Sequence, residues 1–186
     1  MIWIILGVLL WSFTHFFKRL APGARAAMTD RMGNASRGVI ALVLVASIVL
    51  MVIGMRSAPF VDLWFLPPFV IHINNLLMLI AVILLGAGSS KSRLRGKLRH
   101  PMLTGVVVWS VAHLLVNGHL AAVLLFGGVG LWALIQMQIV NRAEPAPDPF
   151  TGGSLVGDIR LLVISAVVFA VITGIHTWLG VWPFPG

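Results

Sequence analysis

The chain of 186 residues is 59% hydrophobic and 10% charged, with a mean hydropathy of +1.02, whereas a soluble domain is roughly a quarter charged. That balance excludes a water-soluble globular fold, because the apolar surface exceeds what such a fold can bury, and a bilayer takes the place of water as solvent. The net charge of +8 falls in short segments between apolar runs and so reads as membrane topology, not as a nucleic-acid surface; the absence of cysteine removes disulfides, thiolate metal sites and thiol nucleophiles.

The first apolar run, residues 1–17, approaches the ~20 residues that cross a hydrocarbon core. It closes on Trp11-Ser12-Phe13-Thr14-His15, where Trp and Ser precede His by one helical turn and share its face. A loop with Lys18, Arg19, Arg25, Arg31 and Arg37 follows, then a second run at 38–55 and the lone Arg56. The third run, 67–87, carries His72 near its start. The next loop holds Lys91, Arg93, Arg95, Lys97 and Arg99 and leads through His100 and Pro101, at a first helical turn where proline is tolerated, into a fourth run at 101–118.

That fourth run contains Gly105, which permits close approach of a backbone or a flat ligand, and Trp109-Ser110-Val111-Ala112-His113, a second copy of the Trp-Ser-His spacing. Asn117-Gly118-His119 is the only break before a fifth run at 119–140. Residues 141–160, with Pro145, Pro147, Pro149 and Gly152-Gly153, cannot be helical throughout. A sixth run at 161–180 carries His176, with Trp178 and Trp182 as interfacial anchors. The expectation is an all-α, polytopic bundle of about six spans forming a single domain. Twelve Lys and Arg lie in the first, third and fifth loops against Arg56 on the other side, which places those loops in the cytoplasm and both termini outside.

Histidine is costly to bury in a span, tends to face the bundle interior and marks function. Here an aromatic wall, a small residue and an imidazole recur twice, the arrangement a planar cofactor with axial ligands requires. Depth separates the candidates. His15 lies near the inner end of its span and His113 well up an outward one, roughly 15 Å apart in depth at the helical rise, whereas His72, His113 and His176 all fall toward the outer side. No buried acidic pair accompanies them, which argues against proton-coupled transport and acid-base hydrolysis.

The stretch RHPMLTGVVVWSVAHLLVNGHLAAVLLFG, with WSFTHFFKRLAPGARA and DLWFLPPFVIHINNLL, resembles the NnrU-like family, the membrane domain of bacterial proteins associated with denitrification and of zeta-carotene isomerase. The likeness runs to about residue 140, is strongest at 99–118, and matches His, Trp, Gly and Pro positions in three separated segments. It implies haem b with His15 and His113 as axial ligands; the depth match makes His72 and His176 alternates, and the spacing puts Trp11, Trp109, Ser110 and Gly105 along the site. Arg99 and His100, with Arg95 and Lys97, would form an anion-accepting patch for propionates or lipid headgroups. Where the isomerase has a cysteine before its second ligand, Ser110 stands here, and serine is no soft iron ligand. The implied function is haem-dependent redox or isomerase-type chemistry, or a role in nitrite and nitric oxide reduction, in a bacterial inner membrane. The implied partners are the lipid bilayer and a hydrophobic small molecule or membrane redox protein, with no nucleic acid. Two alternatives are a cofactor-free accessory protein and a membrane methyltransferase; the Arg-His-Pro segment also resembles isoprenylcysteine methyltransferases, but their tyrosine-containing segment has no counterpart here.

Overall fold

In the computed structural model, residues 1–148 and 150–184 are described; Pro149, one of the expected breakers of the fifth loop, lies outside them. Among the described residues the regular structure is helical: α1 (Ile2–Leu20), α2 (Pro22–Met32), α3 (Ala35–Ser57), α4 (Val70–Ala87) and α5 (Pro101–Val116), then α6 (Leu120–Ala143) and α7 (Leu155–Trp178). Five of these, α1, α3, α4, α6 and α7, are long and apolar enough to cross a membrane. The fourth expected span is shorter than its apolar run: α5 has 16 residues, about 24 Å at the helical rise, because Asn117-Gly118 leaves the helix. The first basic loop contains the helix α2, started by Pro22 at its first turn and ended by Gly33 at φ 54, where a side chain would be strained. The last span begins at Leu155, six residues before its apolar run, because Ser154 caps it by accepting from the Gly157 N–H at 3.0 Å. Asp158 and Arg160 are thereby helical.

The chain forms two compact units. One comprises residues 1–64 and 118–143, the other 65–117 and 144–186. In the first unit α1 and α3 pack through small residues, as expected where lipid removes the hydrophobic drive and van der Waals contact decides association. A Cβ on Gly7 would lie 2.8 Å from the Ser47 carbonyl and one on Gly54 2.6 Å from Ile4 N, so neither position has room for one, and Ser47 and Ile4 are fully buried. Residues near 4 face those near 54, and residue 7 faces 47–51, so the two helices are antiparallel. α6 contains a wide π turn at Val123–Gly127. Gly128, directly after it, packs on Val8 of α1, where a Cβ would lie only 2.9 Å from the valine side chain. Before α6, His119 pairs with Asp62 in an antiparallel bridge, the Leu63 N–H donating to the Gly118 carbonyl and the Leu120 N–H to that of Val61. A side chain at Gly118 would collide with the Trp64 carbonyl.

In the second unit α4 and α5 are antiparallel, Gly88 against Pro101 and Gly105 against Ala81–Leu85, and Gly86 meets Leu161 of α7. The segments flanking these helices are knit together. Asp158 accepts from the Ser92 hydroxyl at 2.7 Å, the Arg93 N–H at 2.8 Å and the Arg93 guanidinium at 2.6 Å. The Arg95 guanidinium lies 4.3 Å from the centre of the Phe150 ring, and Arg99 donates to the Glu144 carbonyl at 2.8 Å. Gly153 and Gly157 admit the backbone of Arg93 and Lys91 where a Cβ would block it. Outward faces carry large apolar side chains, among them Leu42, Val156, Val163 and Val167, the surface that lipid covers.

Candidate histidine sites

His15 and Trp11 stand one turn apart on α1, and their rings meet at 4.3 Å between centroids. A third ring joins them. Trp132, one turn after Gly128 on α6 and buried, lies 4.6 Å from His15 and edge-on to Trp11 at 5.4 Å. The contact of Gly128 with Val8 brings the helices close enough for the three rings to touch. The His15 Nδ1 lies 2.9 Å from the Trp11 carbonyl; a carbonyl only accepts, so Nδ1 carries the proton and Nε2 presents its lone pair. This is the orientation in which protein imidazoles bind metals, one nitrogen fixed by a backbone acceptor and the other ligating. One turn beyond Trp132, Gln136 is also buried. The Trp11 and Trp132 indole nitrogens and the Gln136 Oε1 are buried without a hydrogen-bond partner.

The second unit repeats half of this. Trp109 and His113 on α5 are edge-on at 5.0 Å. Ser12 spends its hydroxyl on the Val8 carbonyl at 2.7 Å, whereas Ser110 is buried with its Oγ unpartnered. His176 on α7 has its Nδ1 2.8 Å from the Ile172 carbonyl, the same Nε2-presenting form as His15. His72 is exposed at the start of α4. The structure therefore brings together Trp11, His15 and Trp132 in one unit and Trp109 with His113 in the other. No cluster of three or more His or acidic side chains able to hold a metal ion occurs among the described residues.

The other expected site residues have structural partners. The open side of Gly105 is filled by α4, with Ala81 O, Leu84 Cβ and Leu85 N all about a Cβ contact away at 3.0–3.1 Å; the close approach is to a backbone. His100 precedes α5, its carbonyl accepting from the Thr104 N–H and hydroxyl at 2.9 Å. Arg99 is held by the carbonyls of residues 144 and 145. His119 caps α6, its Nδ1 accepting from the Ala122 N–H at 3.3 Å, and stacks on Phe60. Trp132 and Gln136 escape a motif search because they match no spacing. The available signal was composition: Gln136 and Gln138 are rare amides in a span otherwise built from apolar and small residues.

A bundle of helices long and apolar enough to span a bilayer, with imidazoles packed on indoles at its seams, is a polytopic α-helical membrane protein. The family model described as NnrU protein matches residues 3–183, nearly the whole chain and well past residue 140, where the likeness was expected to fade. The chain belongs to the NnrU family. No curated protein and no solved structure matches it.

Proposed function

We propose that this protein is a haem b-binding protein of the bacterial inner membrane, with both termini extracytoplasmic, acting in redox or isomerase-type chemistry or in support of nitrite and nitric oxide reduction. The observation that carries the reading is the His15 site, an imidazole packed between Trp11 and Trp132 with Nδ1 tied to a backbone carbonyl and Nε2 presented. Neutral imidazole nitrogen is a haem ligand, and the donor set fits. His113, packed on Trp109, is the other imidazole that the family resemblance puts forward as a ligand, with His72 and His176 as alternates. Bound haem would supply one-electron iron chemistry. This chain's part is to orient the imidazoles, to exclude water with indole and aliphatic side chains, and to hold the ligand-ready tautomer.

Oxidised and reduced optical spectra of the detergent-purified protein test this. A Soret band that is lost in His15→Ala and His113→Ala, and kept in His119→Ala, is the expected result, with all three variants inserted and monodisperse. A wild-type protein that stays colourless after haem supplementation, or a His113→Ala protein with full haem content, refutes it.

A further inference from the structure

Three polar atoms on the α1/α6 seam are buried without partners: Trp11 Nε1, Trp132 Nε1 and Gln136 Oε1. Trp132 and Gln136 are 5% and 7% exposed, so water does not serve them as it would at a surface. Each such atom costs about 1–3 kcal/mol when unsatisfied, and lipid offers no donor or acceptor to relieve it. Three such atoms along one seam, beside an imidazole with its lone pair presented, need partners that the protein itself does not supply, and a bound polar group would supply them.

The chemistry of that ligand follows from the atoms. Two indole N–H groups donate only, so the ligand must accept twice. The Gln136 amide presents a carbonyl, or on flipping its NH2, so it suits a group that either donates or accepts. A carboxyl group meets all three demands, accepting from the indoles and, ionised or protonated, bonding the amide. Charge points the same way, since Lys18 stands in the last turn of α1, one turn beyond His15, and its ammonium attracts an anion.

We infer that Trp11, Trp132 and Gln136 receive the carboxyl edge of the porphyrin that His15 ligates, an assignment that rests on the haem reading above. Arg99, expected from the sequence to neutralise such carboxylates, donates one guanidinium nitrogen to the carbonyls of residues 144 and 145.

Metal-free protoporphyrin IX and its dimethyl ester separate this from ligation, because neither offers iron to histidine and only the first offers carboxyl groups. Fluorescence titration of the detergent-purified, haem-free protein should show the acid bound roughly tenfold or more tighter than the ester, the effect of a hydrogen bond to a charged group. That preference should shrink toward unity in at least one of Trp132→Phe and Gln136→Leu and persist in His15→Ala. Equal binding of acid and ester by the wild type, a preference surviving both seam substitutions, or its loss in His15→Ala overturns the inference while leaving haem binding standing. A wild-type protein that takes up neither porphyrin overturns the haem reading and this inference together.

Discussion

Replacing Trp132 by Phe tests whether the seam is incomplete without a ligand. The substitution removes an indole N–H that is buried and unpartnered, which should recover about 1–3 kcal/mol. It also weakens two ring contacts, at 4.6 Å to His15 and 5.4 Å to Trp11, each worth about 0.5–1.5 kcal/mol. The two effects are opposite and of equal size, so the haem-free Phe variant should unfold within about 1 kcal/mol of wild type. Trp132→Leu loses both ring contacts and leaves a void, and should cost about 3 kcal/mol or more. For a chain of this size that corresponds to a drop in Tm of roughly 6–12 °C. Thermal unfolding of the haem-free proteins in one detergent, followed by circular dichroism, compares the three. Both substitutions remove the N–H, so wild type is the reference: if Trp132→Phe unfolds about 1–3 kcal/mol below it, the full loss of the ring contacts, the indole N–H carries no penalty and the reasoning from unsatisfied atoms fails.

Gly105→Leu should separate α4 from α5, since even a Cβ would sit 3.0 Å from the Ala81 carbonyl; the expected loss is about 1–3 kcal/mol of overpacking, read as a lower Tm, whereas Met102→Leu on the exposed face of α5 should be silent. Asp158→Asn should loosen the segment around Ser92 and Arg93 that the carboxylate holds, and trypsin should then cleave at Arg93–Lys97 several-fold faster than in wild type. His119→Ala should cost about 1 kcal/mol through loss of the α6 cap with no change in haem spectrum, and His119→Asn should restore most of that stability.

The membrane class, the apolar runs and the pairing of Trp11 with His15 and Trp109 with His113 were all legible in the sequence, because they depend on composition and on helical periodicity, which are local. The ends of the spans were less so. Ser154 capping a helix six residues early and Asn117-Gly118 ending α5 at 16 residues are decided by hydrogen bonds that composition does not weigh. Loop charges marked the segments between spans, but not that Arg93, Arg95 and Arg99 are spent on Asp158, Phe150 and the carbonyl of Glu144, partners more than forty residues away. Trp132 could not be placed beside His15 from sequence at all. Its position depends on the π turn before Gly128 and on the contact of Gly128 with Val8, and only where two helices meet does an indole on one become the wall of an imidazole on the other.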